Sequence, residues 1–514
     1  MTTKMNRRKF IGSAVASGAF TLVPRHVLGT SGYIAPSDKI TLAHIGMGTQ
    51  GFNELGGLLA DPRIQIVAVC DPNTDSNDYV EWGKYNVRNR IRTYLDNPSW
   101  RENDSGCPGG REVGREVMNT YYANHRGAQS FKGCAAYADV RELLEKEKDL
   151  DAVKIMTPDH LHATISIAAM KKGKHVMVHK PIANRLHEGR LVLKTARQTK
   201  RATHLLAYGS GTGNGRIAEQ IKAGVIGPLR EVHNWTNRPV WPQYTEISKD
   251  RPPVPKGLDW ELWLGPALDR PYHPHYTHTV FRGWYDFGGG SMADMGIYSL
   301  WPVFTALDLD APASAEAWAT HTCSIADNVS RPVKNDFSYP AGCMLRFQFV
   351  PKGDMPAIDL FWYDGGMKPR LPKELEAHNV EMDPEGILFV GDRGTIMAGF
   401  HGEKPQLFAN GKNEPLAMDE SSLPAPASSD VRRGGGRDTG RGERHSAWLA
   451  ACRGGDPSPG SFLNAAAITD TVNLGTVALR AGKKVLFDSE KMKITNDSEA
   501  DKYLYREYRD GWEL

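Results

Sequence analysis

Gly46-Met47-Gly48-Thr49-Gln50-Gly51 carries the sharpest chemical signal in the chain. A Gly-x-Gly-x-x-Gly run marks a dinucleotide site where it follows a strand and opens a helix. Here it follows the apolar run Ile40–Ile45 and precedes a helical pattern over residues 52–60. In that setting Gly46 allows a tight turn. Gly48 lets the backbone approach a pyrophosphate seated on the helix N-terminus, and Gly51 permits close helix–strand packing. Thr49 and Gln50 complete the turn. Asp71 ends the next apolar run, twenty residues after Gly51. A carboxylate at that place binds both ribose hydroxyls and repels a 2′-phosphate, so NAD is expected rather than NADP.

More polar groups stand at the ends of later runs. Lys180 follows the run His175–Val178, where doubly wound sheets place ligands. Beside an oxidised nicotinamide it meets a like charge, which lowers the pKa of an ammonium. Asp159 is expected to cap the helix that follows it at 161–172. Thr157, Pro158, His160 and His162 then lie near the cofactor, with His162 reading equally well as structural or functional. Asp294 and Tyr298 are four residues apart and share a face if their segment is helical. Residue type alone also allows a helix cap and a packed aromatic.

Several motifs occur in order. They are Thr157-Pro158-Asp159-His160-x-His162, Gly173-Lys174-His175-Val176, His179-Lys180-Pro181, Gly257-Leu258-Asp259-Trp260-x-x-Trp263-Leu264-Gly265-Pro266 and Gly288-Gly289-Gly290-x3-Asp294-Met295-Gly296. Together they resemble the Gfo/Idh/MocA oxidoreductases, whose members read T-P-[ND]-x-x-H, G-K-H-V and E-K-P. The resemblance runs from about residue 40 to the C-terminus. It implies NAD-dependent hydride transfer on a carbohydrate and a Rossmann domain ahead of a substrate and oligomerisation domain, whose broad sheet suits a homodimer or homotetramer. It also implies that Lys180 binds the reacting hydroxyl and relays its proton, with Tyr298 as acid/base and Asp294 orienting. Two departures stand out: His179 replaces the usual Glu, and Tyr298 replaces the common His, although some members use Asp-x-x-x-Tyr.

His273-x-His275-x-x-His278 has a spacing that suggests a metal, but Pro274 and a loop setting argue against a preformed site. No metal is expected; His275 and His278 are assigned to sugar contacts. Aromatic faces stack on sugar rings as well as fill cores. Of the tryptophans crowded between residues 235 and 301 most are assigned to the core, and Trp284, near Arg282 and Asp286, to a sugar platform with Arg282 as a further substrate contact.

These groups need a scaffold. Residues 40–208 alternate Val- and Ile-rich runs (40–45, 65–70, 152–156, 175–178, 203–207) with helical segments (52–60, 161–172, 186–199), which predicts an α/β doubly wound parallel sheet over 38–208. The polar stretch from Asp75 to Lys132 breaks the rhythm and reads as an insertion after the second strand. From 209 to 514, runs such as 231–237, 343–350 and 357–362 alternate, which predicts an α+β domain with a large, mostly antiparallel open sheet. Arg432–Arg444, rich in glycine and arginine, reads as a loop.

The chain of 514 residues has a formal charge of +3. Residues 1–30 hold Lys4, Arg7, Arg8, Lys9 and Arg25 and no acid; taking these five away turns +3 into −2. Such a balance argues against nucleic-acid binding. No apolar run approaches the ~18 residues of a membrane span. Arg7-Arg8-Lys9-Phe10-Ile11 ahead of a short apolar stretch matches a twin-arginine (Tat) signal, so partnership with the Tat machinery and a periplasmic location are expected, with a membrane anchor if the signal stays. Export permits disulfides, and Cys107 with Cys134 is the first pair to consider. Outside the cytoplasm no NAD pool restores a lost cofactor. The expected enzyme therefore keeps its NAD and recycles it internally, as an oxidoreductase or as a glycosidase working by oxidation, elimination and reduction. The different class to weigh is a non-catalytic sugar-binding protein that kept the fold.

Overall fold

The computed structural model describes residues 34, 38–126, 131–207, 213–333, 335–416 and 445–514. The twin-arginine segment and Arg432–Arg444 lie outside them. Six strands form one sheet in the spatial order Ala135–Tyr137, Ile64–Cys70, Ile40–Ile45, Ala152–Ile155, His175–Val178, Thr203–Leu205. Every neighbouring pair is parallel. Leu42, Ala43, Ile66, Ala68, Val153 and Ile155 are fully buried, which accounts for strands that are apolar on both faces. Each such aliphatic side chain contributes about 1.5–3 kcal/mol on leaving water. Helices at His162–Lys171 and Leu186–Thr199 cover the sheet.

Three local expectations are corrected here. The helix over 52–60 starts earlier and is broken into Thr49–Asn53 and Gly56–Ala60, because Glu54 closes the first against the carbonyls of Gln50 and Phe52. The edge strand Ala135–Tyr137 was not foreseen; three residues following a long insertion leave no periodicity to read. Cys107 and Cys134 are free thiols. Cys107 faces the Thr49 hydroxyl at 3.7 Å, while Cys134 turns to the Ala135 carbonyl at 3.5 Å. Burial pushes each thiol up to about 12.

The insertion is a folded unit. Its strands Ser76–Tyr79 and Cys107–Gly109 pair antiparallel, and helices Asn86–Leu95 and Arg111–Arg126 follow them in turn. Arg88, itself buried, ties it together through the carbonyls of Asp104, Ser105 and Gly106.

The second sheet has ten strands, in the order 412–415, 406–409, 395–399, 386–391, 229–235, 358–363, 343–349, 314–319, 485–488, 493–494. Only the pair Leu229–Trp235 with Ile358–Tyr363 is parallel. The helices Ile297–Leu307 and Ala466–Ala481 lie on its inner face, which shares one apolar core with the parallel sheet. The chain returns to the first domain late. Trp448 and Leu449 join the core under the glycine loop, and Ser458 and Ser461 bond His204 and Thr203. No helix of the described residues is long and apolar enough to cross a membrane.

Candidate active site

A cleft opens at the C-terminal end of the parallel strands. Its walls include Gly46, Gly48, Thr49, Gln50, Asp71, Thr157, Pro158, His179, His278 and Arg282. Gly46 stands at φ +95, and a Cβ there would come within 2.6 Å of the Met156 carbonyl, so only glycine fits between two strand ends. A Cβ on Gly51 would meet the Gly46 carbonyl at 2.4 Å, which is the close helix–strand packing expected of the third glycine. Asp71 lies behind the loop with Met47 N–H on Oδ2 at 2.7 Å and Asn73 N–H on Oδ1 at 2.8 Å. Each oxygen keeps lone-pair capacity towards the cleft. Burial raises its pKa, against the two N–H bonds. Glycine cradle, carboxylate and cleft therefore fit a dinucleotide, held by Gly46, Gly48, Thr49, Gln50 and Asp71.

Four charges meet beside this cleft; Arg282 lines it, while Lys180 and Asp294 lie behind its wall. Lys180, on the turn after His175–Val178, donates to Asp294 Oδ1 at 2.5 Å. Arg282 Nε stands 3.0 Å from the same oxygen, and Arg238 Nε 3.9 Å from Oδ2. Lys180 is only 3% exposed. Burial lowers its pKa; the Asp294 carboxylate opposes this and Arg282 adds to it. Burial alone would raise Asp294, but Lys180, Arg282 and Arg238 outweigh it and hold the carboxyl below its usual range. Asp294 is thus a fixed anion, and Lys180 an ammonium with a weakened hold on its proton.

Tyr298 lies beside the cluster. Lys180 Nζ lies 5.3 Å from its ring centre, and its hydroxyl is 3.1 Å from His179 Nε2. Burial, then the charges of Lys180 and Arg282, push His179 well below its ordinary pKa, so it is neutral near pH 7. The Asp294–Tyr298 spacing is not that of a plain helix. Residues Met292–Gly296 form a π-turn before the α-helix Ile297–Leu307, a feature frequent at functional sites. Gly290, at φ +67, turns the chain into it beneath the Tyr339 ring.

Other expectations are revised. Asp159 caps nothing: Pro158 and Leu161 hold the cap positions and no side chain bonds there. Its carboxylate instead accepts from Gly289 N–H at 3.0 Å, joining the turn after Ala152–Ile155 to the glycine-rich turn 288–290. His160 and His162 are fully buried and do not line the cleft; they hold main chain. His160 Nε2 bonds the Trp263 carbonyl at 3.1 Å, and burial lowers its pKa to about 3. His162 lies between the carbonyls of Pro181 and Thr157, at 2.5 and 2.9 Å. Trp284 is no sugar platform. It is 1% exposed, inside a cluster with Trp260, Tyr276 and Phe287, and donates to the His275 carbonyl at 2.7 Å. His275 stacks on Tyr244 away from the cleft. His278 does reach the cleft, but on its glycine-loop side, against Asp78. The residues missed were Tyr79, Trp82, Asn73 and Arg238. They lie in the insertion or in irregular chain, where no pattern announces a position. His179 was visible as a departure from a motif but had no assigned role.

The family model for the oxidoreductase family, NAD-binding Rossmann fold, matches residues 102–206, and that for its C-terminal alpha/beta domain matches 216–365. A levoglucosan dehydrogenase of Pseudarthrobacter phenanthrenivorans is 35% identical over 71 residues, 14% of this chain and 18% of that protein. A glycosyl hydrolase family 109 protein of Streptomyces coelicolor is 25% identical over 252 residues, 45% of each. The chain spans less than half the length of these curated relatives. Among solved structures, the Bordetella pertussis WlbA dehydrogenase, in complex with NADH and UDP-GlcNAcA, is 12% identical with a TM-score of 0.51, over 88% of this chain and 99% of that one. An NAD binding oxidoreductase from Klebsiella pneumoniae is 16% identical with a TM-score of 0.50, over 87% and 99%. These likenesses bear on fold. With one family model on each domain, and strand order and glycine turn in agreement, the chain belongs to the Gfo/Idh/MocA oxidoreductase family.

Proposed function

We propose that the protein is an NAD-dependent oxidoreductase of a carbohydrate or glycoside that keeps its cofactor through the catalytic cycle. The observation that carries this reading is the Lys180–Asp294–Arg282 cluster, of which Arg282 lines a cleft that also takes in the glycine loop. NAD bound there supplies a hydride acceptor. Lys180, once it has given up its own proton, holds the reacting hydroxyl as a neutral amine and accepts that proton, while Asp294 stabilises the ammonium so formed and Arg282 orients the hydroxyl group. Burial excludes water from these contacts, which strengthens each. The twin-arginine sequence supports a periplasmic location, and that location is the reason for internal recycling. Arg111 Nη1 donates to the Asp71 and Pro72 carbonyls, and the buried Asp71 carboxylate, which repels a 2′-phosphate, supports NAD. Asp71→Asn is expected to lower the NAD-over-NADP affinity ratio about tenfold in titrations with each nucleotide.

A second reading within this function is glycoside cleavage by oxidation, elimination and reduction. It needs one group for the hydroxyl proton and another for the acidified C–H. The His179–Tyr298 pair beside Lys180 offers the second. The family 109 relative supports it. Tyr298→Phe is expected to lower turnover about 100-fold with nucleotide affinity unchanged, shown by steady-state rates beside a nucleotide titration.

Denaturing the purified protein and assaying released NAD(H) tests the core claim. Retained stoichiometric nucleotide, with deuterium entering a glycoside next to the oxidised carbon in D2O, supports cleavage. Protein that neither retains nor binds NAD(H) returns the fold to sugar binding alone.

A further inference from the structure

The insertion lies on the glycine loop. Thr49 Oγ1 donates to the Val80 carbonyl at 2.7 Å, and Gly110 N–H to the Met47 carbonyl at 2.9 Å. The Tyr79 ring covers the loop so closely that a Cβ on Gly48 would meet it at 2.9 Å and one on Gly109 at 2.6 Å. The space that Gly48 leaves open is therefore faced by an aromatic ring from the insertion.

The same hairpin reaches the second domain across the cleft. His278 Nε2 stands 3.2 Å from Asp78 Oδ1, and its ring packs on Tyr79 with centroids 4.2 Å apart. His278 sits at φ +54, a conformation that a non-glycine residue keeps only where its surroundings over-determine it. Beside this crossing, Trp82 lines the cleft while 54% exposed, a large aromatic surface at the mouth.

We propose that Asp78, Tyr79 and His278 form a bridge that closes the dinucleotide site over the glycine loop, with Trp82 flanking its mouth. The inference rests on the dinucleotide reading above and says how retention is built. The nucleotide enters and leaves only when the bridge parts, so it slows both directions alike. An ordinary binding contact slows release alone.

The test uses the full chain and NADH as probe, with capture and release followed by nucleotide fluorescence in stopped flow. His278→Phe keeps the ring contact and removes the polar contact to Asp78; Asp78→Asn keeps the size and removes the carboxylate. The expected result is that each variant speeds both capture and release, and that the two together do so about tenfold, with Kd nearly unchanged. Two variants guard against misfolding of either. Release that speeds up while capture does not, or rates equal to the unmutated protein, overturns the bridge. If the unmutated protein binds no NADH, the dinucleotide reading falls and takes the bridge with it. If it binds NADH and the variants match it, only the bridge falls.

Discussion

Lys180→Ala is expected to lower turnover by about 1,000-fold, within the range of a lost acid–base group, while the protein stays folded. The reason for the separation is local. Asp294 keeps Arg282 at 3.0 Å and Arg238 at 3.9 Å after Lys180 is gone, so its charge is not stranded. The helix at His162–Lys171 and the strand His175–Val178 do not depend on the ammonium. Nucleotide affinity should be unchanged within about twofold, since the glycine loop and Asp71 lie elsewhere in the cleft. Single-turnover reduction of bound NAD by substrate, beside a nucleotide titration, reads both quantities. Turnover within tenfold of the parent would remove Lys180 from the chemistry. A companion variant fixes the sign. The Asp294 charge raises the Lys180 pKa and Arg282 lowers it. In Asp294→Asn the ammonium therefore gives up its proton more readily, and the acidic limb of the rate profile moves to lower pH.

Arg506→Ala is expected to destabilise the protein by about 3–5 kcal/mol, the cost of breaking a buried ion pair from one side. Arg506 and Glu188 are buried and 2.6 Å apart. The guanidinium also donates to the Asp286 carbonyl at 3.1 Å and to Asn184 Oδ1. Without it, Glu188 keeps only the Tyr508 hydroxyl, at 3.1 Å, while Arg185 still lies in the same buried group of charges. The C-terminal segment that carries Arg506 is bound to the helix Leu186–Thr199 by this pair. Denaturant unfolding followed by tryptophan fluorescence should show an early transition. The double variant Arg506→Ala with Glu188→Gln should lose less than the sum of the singles, because neither charge then stands alone. A loss below about 1 kcal/mol in the single variant would mean that water reaches the pair.

Local signals were legible where one segment does its own work. The glycine turn needs a strand before it and a helix after it, and all three lie within residues 40–60. Asp71 was readable because the end of a buried strand is marked by the first charged residue after an apolar run. Lys180 followed from the same rule at the end of the strand His175–Val178. Misreadings came where a side chain had a choice of partner. Asp159 has the type and place of a cap, yet its carboxylate turned to Gly289, which is 130 residues away. Trp284 has the amphipathic chemistry of a sugar platform, but eight other aromatic and apolar side chains of its cluster surround it.

The sequence by itself determined the parallel sheet, the glycine loop and the identity of the charged groups, because strand burial and turn geometry are set by neighbours within a few residues. The tertiary structure alone decided which of those groups share a site. Lys180 meets Asp294 across 114 residues, and His179 meets Tyr298 across 119. It also decided that a polar insertion with no motif lies over the glycine loop and reaches His278. Such pairings depend on how two sheets pack, and that is set by shape and burial across the whole core rather than by spacing along the chain.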